Sequence, residues 1–172
     1  LAMEAGWRKF EYLQGRSNWS PYLLIAPLMQ RLVGAKLMAK FGGRMRYAIS
    51  GGAPLTKEIA RTFISSGLTL LQGYGLTETS PVIAVNRPEE NIPESVGLPL
   101  EGIEVRIGAQ DELQVRGPNV MLGYWNNHAA TSQVINHDGW LHTGDQVSID
   151  AEGHIRITGR LKDIIVLSNG EK

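Results

Sequence analysis

The densest chemistry in this 172-residue chain lies in Leu70-Leu71-Gln72-Gly73-Tyr74-Gly75-Leu76-Thr77-Glu78-Thr79-Ser80-Pro81. An apolar strand runs into a glycine-punctuated turn, followed by a hydroxyl, a carboxylate and a proline stop. Gly73 and Gly75 allow positive φ and a close backbone approach on either side of Tyr74. The ring of Tyr74 then has room to stack on a flat partner such as a nucleobase. Thr77 offers a hydroxyl and backbone amides where a phosphate oxygen can sit. Glu78 offers the hard oxygen that Mg²⁺ takes alongside phosphate. Alone, a Gly-x-Gly pair is more often an ordinary turn. It is no dinucleotide fingerprint, since Glu78 stands where a third glycine is needed, and no Gly-Lys-Ser/Thr follows to make a phosphate-cradling loop.

Three further stretches give that loop company. Ser50-Gly51-Gly52-Ala53-Pro54 is a sharp exit from a strand, where Gly51, Gly52 and Ala53 suit a nucleotide or acyl contact. Trp140-Leu141-His142-Thr143-Gly144-Asp145 ends on a carboxylate able to accept two hydrogen bonds from a ribose diol. Singly, Asp145 serves equally well as a turn cap. Gly159-Arg160-Leu161-Lys162-Asp163 sets a permanently charged fork beside a glycine, apt for ribose or phosphate oxygens, although such a cluster is usually plain surface charge. His128, His137, His142 and His154 lack metal-ligand spacing and have no cysteine partners.

The elements that must position these residues follow from periodicity. Met3, Trp7, Phe10 and Leu13 fall at helical spacing over residues 3–14, and Leu24, Leu28, Leu32, Leu37 and Phe41 stripe a second helix over 22–40 that Gly42-Gly43 closes. Arg46–Ser50 reads as a strand. Thr56 can cap the next helix, which ends near Ser66 before Gly67, and Leu68–Leu71 is the following strand. Strand, helix, strand implies a parallel pair whose carboxyl ends carry both informative loops, the usual ligand edge of an open α/β sheet. After Pro81 short alternating runs, 102–107 and 112–116 with a hairpin at 108–111, predict antiparallel strands in a small sheet or distorted barrel. A short helix is expected near 128–134, strands at 140–145 and 146–149, a turn at 150–153 and a strand at 154–158.

Charge is balanced at 17 basic and 17 acidic residues, which gives no electrostatic case for nucleic acid or an anionic membrane. With no cysteine, disulfide and thiol chemistry are excluded. No signal-peptide pattern is evident, and no run reads as long enough to span a bilayer, the most apolar stretch (Pro21–Met29) being broken by Pro27. A membrane-surface role for the second helix is the weaker reading, since prolines and a mixed stripe interrupt it. The chain opens on Leu1 and stops in Gly170-Glu171-Lys172, so both ends read as cut.

Taken in order, Ser-Gly-Gly-Ala-Pro-Leu, Gln-Gly-Tyr-Gly-Leu-Thr-Glu-Thr, Trp-Leu-His-Thr-Gly-Asp and Gly-Arg-Leu-Lys-Asp resemble the adenylate-forming superfamily of acyl-CoA synthetases, luciferases and peptide-synthetase adenylation domains. The resemblance runs from about Phe41 to Lys172 and includes Val96-Gly97-Leu98-Pro99 and Val115–Trp125. Phe41-Gly42-Gly43-Arg44 and the ending Ser168-Asn169-Gly170-Glu171-Lys172 look most like long-chain fatty acyl-CoA synthetases. Residues 1–40 carry no specific motif. Glu101 and Asp111 depart from the family, which often has proline and glycine there.

The resemblance implies an α/β fold: a piece of the large N-terminal domain, with a parallel-sheet portion at 1–81, an antiparallel β portion at 82–161, and at 162–172 a hinge and the start of a small C-terminal domain. It implies that Tyr74 stacks on adenine, with Gly51, Gly52, Ala53, Gln72, Gly73 and Gly75 lining the nucleotide and acyl site. Thr77 would bind the α-phosphate and Glu78 the Mg²⁺, these two being the catalytic residues. Asp145 would hold the ribose, assisted by Arg160, and Lys162 would be the hinge. The substrates would be ATP, a fatty acid and coenzyme A, handled by a cytoplasmic AMP-forming acid–thiol ligase, with peripheral membrane association left open. The family's phosphate loop and its C-terminal lysine find no match in residues 1–172. Such chemistry rests on positioning and charge stabilisation. The isolated chain is therefore expected to be nearly inert and to bind ATP weakly. Stacking gives ~1–3 kcal/mol and a charged hydrogen bond about 1.5–3, against an association cost on the order of 4–15. Exposed apolar surface would let such a piece self-associate. Two rivals stand beside this reading: activation of another acid, aryl or amino, and a stand-alone non-catalytic nucleotide-binding module.

Overall fold

The computed structural model describes residues 1–53 and 55–161, which form two compact units. The first unit comprises residues 1–73 and 85–97, and the second 74–84 and 98 onward. The expected hinge at Lys162 and the segment Ser168–Lys172 lie outside the described residues, as does Pro54.

In the first unit, α1 spans Ala2–Leu13 and α4 spans Lys57–Ser65; between them in sequence, α2 (Tyr22–Met29), a π-helical turn (Gln30–Gly34) and α3 (Ala35–Lys40) run on without a break. Gly42 and Gly43, at φ 78° and 70°, end that long helix as a glycine stop should. Strands β1 (Tyr47–Ser50) and β2 (Thr69–Tyr74) pair in parallel, in register from Tyr47 opposite Thr69 to Ser50 opposite Gln72. Thr56 caps α4 by accepting from the Ile59 amide, and Glu58 puts acid in its first turn. The expected βαβ unit is therefore present. Its core is Ala60, Ile64 and Leu70, with Trp7, Phe10, Ala48 and Phe63 packed around them.

Two glycines set how closely the helices approach. A Cβ on Gly6 of α1 would lie 1.9 Å from the Ser65 carbonyl oxygen, and one on Gly34 would lie 2.2 Å from that of Ser66. The carboxyl end of α4 is thus seated against bare backbone from both sides, and Gln30 adds a hydrogen bond from Nε2 to Ser65 O. The long helix corrects one expectation. Residues 22–40 form 19 continuous helical residues with mean hydropathy 1.2, which meets the length and composition of a membrane span. Pro27 does not break it, because the proline ring fixes a φ compatible with a helix and removes only one amide donor, while Pro21, at φ −56°, is the N-cap and costs no intrahelical bond.

The second unit is built on an antiparallel sheet of strands β5 (Glu104–Ile107), β6 (Glu112–Arg116), β7 (Leu141–Ile149) and β8 (Ile155–Arg160) in sequence order; the short strands β3 (Ala84–Val85) and β4 (Leu98–Pro99) precede it in the chain. Among the described residues β5 and β8 do not pair, so this is an open sheet and not the distorted barrel anticipated from the alternating runs. Leu113, Val115, Leu141, Val147 and Ile155 form its buried side. The β5–β6 hairpin places Gln110 and Asp111 at φ 57° and 60°, left-handed positions that explain why glycine is common at the second of them in the resembling family. Arg106 and Arg116 cap Trp140 at 4.1 and 4.7 Å from its ring centre, and Arg116 forms a two-pronged pair with Glu104 directly across the ladder. A short helix, α5 (His128–Val134), is capped by Asn127.

Replacing Gly6 or Gly34 with alanine should each lower stability by about 1–3 kcal/mol, as overpacking against backbone does. This holds despite the roughly 1 kcal/mol that alanine normally gains over glycine inside a helix. Urea unfolding would show a lower midpoint at unchanged slope. A wild-type midpoint in both variants would contradict the close seating of these helices on Ser65 and Ser66.

Candidate functional site

The site is assembled where β7 departs from regular pairing. Val115 faces Leu141 and Gln114 faces His142, but Glu112 faces Gln146, so Thr143-Gly144-Asp145 bulges out of the ladder. Gly144 takes φ 73° to make that bulge. The backbone groups abandoned by the ladder find side-chain partners. Gly144 N–H donates to Glu112 Oε1 at 3.0 Å, Asp145 N–H donates to Thr143 Oγ1 at 3.1 Å, and the Thr143 hydroxyl donates to Leu113 O at 2.8 Å. Glu112 is buried and also contacts His142 Nδ1 at 2.7 Å.

A second irregularity aims the other partner. Val147, Ser148 and Ile149 face Ile157, Arg156 and Ile155; continued unbroken, that register would set Asp145 opposite Gly159. A slip between Gln146 and Val147 sets it opposite Arg160 instead. Arg160 Nε then donates to Asp145 Oδ1 at 2.6 Å, and Tyr74 Oη donates to Asp145 Oδ2 at 2.5 Å. Tyr74, Asp145 and Arg160 are thus joined in one hydrogen-bonded chain. Asp145 is only 3% exposed, and these two donors give each of its oxygens a hydrogen-bond partner. Burial and the bond to Asp145 push the Tyr74 phenol far above the ordinary tyrosine range. Its hydroxyl therefore stays a donor, and its ring is held at the hydroxyl edge.

Beyond Tyr74 the chain turns at once. Gly73 lies inside β2 and neither glycine takes positive φ, which corrects that half of the expectation; the close backbone approach is met at Gly75. What Gly75 supplies is space: a Cβ there would lie 1.7 Å from Pro81 O. Thr77, Glu78 and Thr79 form a single 3₁₀ turn. Thr79 is fully buried; its hydroxyl accepts from Leu76 N–H and lies 3.0 Å from both Leu76 O and Pro81 O, while Ser80 takes φ 55° before a cis Ser80–Pro81 bond. Thr77 is exposed at the start of this turn and Glu78 is half-buried. Glu78 joins Tyr124, whose hydroxyl donates to Oε1 at 2.8 Å.

Gly51, Gly52, Ala53, Gln72 and Gly73 belong to the first unit. Gly51 stands over the Gly73 carbonyl, where a Cβ would come within 3.3 Å, and Gly52 is exposed at φ 80°. The Gln72 side chain is committed to the Pro93 carbonyl, and its backbone carbonyl accepts from Asn86. Sequence reasoning gave no role to Glu112, Thr143, Asn119 or Tyr124. Thr143 lies inside the quoted motif Trp140–Asp145 and Glu112 opens the alternating run 112–116; the last two lie within Val115–Trp125, noted for resemblance alone. Among the described residues no group of three or more His, Cys, Asp or Glu could hold a metal ion.

An α/β protein with a tyrosine–carboxylate–arginine cluster at a strand end is the class this geometry defines. Residues 19–125 match the family described as AMP-binding enzyme, and the chain belongs to that family. It is 43% identical over 144 residues to the long-chain-fatty-acid–CoA ligase FadD15 of Mycobacterium bovis, covering 84% of this chain and 24% of that protein. To the long-chain-fatty-acid–CoA ligase of Yersinia pestis it is 41% identical over 136 residues, covering 72% and 24%. The chain thus spans about a quarter of the length of these curated relatives. Among solved structures it is similar to ATP-bound MatB from Rhodopseudomonas palustris, with TM-score 0.67 and 32% identity over 81% of this chain and 31% of that one. A malonyl-CoA ligase with methylmalonyl-CoA and AMP bound gives TM-score 0.64 and 33% identity over 82% and 34%.

Of the five tyrosines, Tyr74 should ionise last. Because its folded pKa is raised, its contribution to stability is whole below the unfolded value of about 10 and is lost as pH climbs beyond it. Phenolate absorbance titrated on folded protein should lose its latest component in Tyr74→Phe. Loss of an earlier component would show that Tyr74 is not the buried donor to Asp145.

Proposed function

We propose that this chain is the nucleotide-binding segment of an AMP-forming acid–thiol ligase that acts on long-chain fatty acids. The observation carrying the proposal is the bonding of Tyr74 to Asp145 and of Asp145 to Arg160, which ties together the adenine, ribose and charge-assisting residues expected from separate motifs. In this reading the fatty carboxylate attacks the α-phosphorus of ATP and displaces pyrophosphate, leaving an acyl-adenylate. The thiol of coenzyme A then attacks the acyl carbonyl and releases AMP, its proton passing to solvent or base.

Each residue has a physical task. Tyr74 presents a ring held at its hydroxyl edge, so the adenine stacks on a surface that is already ordered. Asp145 keeps lone pairs beyond those used by Tyr74 and Arg160, and these accept from the ribose hydroxyls. Arg160, with Nε bonded to Asp145, assists at the ribose as the resemblance implies. Thr77 meets the α-phosphate from the exposed start of the turn. For Gly51, Gly52 and Ala53 a nucleotide or acyl contact rests on the resemblance alone. Lys162 is the hinge by resemblance alone.

The donor set fits Mg²⁺ in the manner of phosphate enzymes, which use one or two carboxylates with substrate oxygens and water. Glu78 supplies one carboxylate, and its Oε2 has no hydrogen bond among the described residues. When bound, the ion would neutralise phosphate charge. A second reading, in which the acid is not a fatty acid, is favoured by the solved neighbours, one of which is a malonyl-CoA ligase.

In the full-length protein, Glu78→Ala should lower fatty-acid-dependent pyrophosphate release by about 10²-fold or more, the scale for losing one transition-state charge contact. Unchanged release would reject the role given to Glu78. A panel of acids assayed alongside should favour long aliphatic chains; preference for an aryl, amino or dicarboxylic acid would transfer the assignment to the second reading.

A further inference from the structure

The turn bearing Glu78 is held by a neighbouring segment, residues 117–124, which makes four hydrogen bonds to it. Asn119 Nδ2 donates to Thr79 O at 3.1 Å and to Val82 O at 2.9 Å. Met121 N–H donates to Glu78 O at 2.8 Å, and Tyr124 Oη donates to Glu78 Oε1 at 2.8 Å. Three of these bonds fix the backbone of the turn. The fourth fixes the carboxylate itself.

Tyr124 is in turn anchored. Its N–H donates to Thr131 Oγ1 at 2.9 Å, and that hydroxyl donates to Asn127 O at 2.9 Å within the capped first turn of α5. Gly123, at φ 146°, brings the chain so near Thr131 that a Cβ would lie 2.8 Å from its methyl carbon. The phenol is therefore aimed by a built support, although Tyr124 is 38% exposed and contributes little to the core.

We propose that Tyr124 is a positioning residue for Glu78: its hydroxyl occupies Oε1, fixes the carboxylate rotamer, and so presents Oε2 to the divalent cation that accompanies the nucleotide. This rests on the reading of Glu78 as the cation contact. A free glutamate loses among the most side-chain freedom of any residue when it is fixed. A partner that fixes it beforehand removes that cost from cation binding and leaves nucleotide binding alone. Partners of this kind, one step removed from the ion, typically change metal affinity 10–100-fold when lost.

The test uses the full-length protein with a non-hydrolysable ATP analogue, and Mn²⁺ as a spectroscopic substitute for Mg²⁺ followed by electron paramagnetic resonance. Tyr124→Phe deletes one hydroxyl and keeps the ring. It should weaken Mn²⁺ binding about tenfold or more, leave metal-free binding of the analogue unchanged, and raise the Mg²⁺ needed for half-maximal pyrophosphate release by a similar factor. Trp125→Ala, at a neighbouring residue 91% exposed, should leave all three at wild type. Wild-type Mn²⁺ affinity in Tyr124→Phe, with weakened affinity in Glu78→Gln, overturns the inference alone. Wild-type affinity in Glu78→Gln overturns the cation reading of Glu78 and the inference with it. An equal loss of metal-free analogue binding in Tyr124→Phe also overturns it, because that would be a general structural effect.

Discussion

Asp145 is a carboxylate with almost no access to water, and an unpaired charge in such a place is prohibitively costly. The surrounding sheet is arranged to meet that requirement. Tyr74 and Arg160 each take one oxygen, and the bulge that turns Asp145 inward is sustained by Glu112, Thr143 and the left-handed Gly144. Glu112 is itself a buried acid, satisfied by the Gly144 amide and His142. Two ladder irregularities and two buried carboxylates thus lie within a few residues of each other, as expected where strands are bent to aim a side chain.

Close backbone contact is the second recurring device. Gly6 and Gly34 let two helices reach the carboxyl end of α4, and Gly75 lets the chain fold back over Pro81. In each case the glycine is required for what a methyl group would strike. The same economy of space puts Glu78 one turn from Tyr74 on a segment only as long as the 3₁₀ turn allows, with the fully buried Thr79 hydroxyl closing it.

Much of the local structure was legible because its signals are local. Thr56 followed by Glu58, the paired glycines after Lys40 and the alternation through 104–116 each rest on interactions within a few residues, and each gave its element. The helix through 22–40 was read at its observed bounds; what a linear reading missed was its length as one apolar run, because Pro27 costs the helix one amide bond without breaking it and Pro21 stands at its N-cap. The barrel was overestimated because alternation predicts strands but says nothing about whether the first and last strands meet.

By itself the sequence named the residues proposed for the site, Tyr74, Thr77, Glu78, Asp145 and Arg160, from type and spacing, and the family they resemble is the family to which the chain belongs. Tertiary structure decided which of them meet. Counting along β7 and β8 would set Asp145 against Gly159; a single slip in register hands it to Arg160, and 71 residues separate it from Tyr74. Tyr124 could be matched to Glu78 only in space, 46 residues away. A hydrogen bond depends on the separation of two atoms, and no periodicity in the chain encodes the separation of groups brought together by a bulge or a bend.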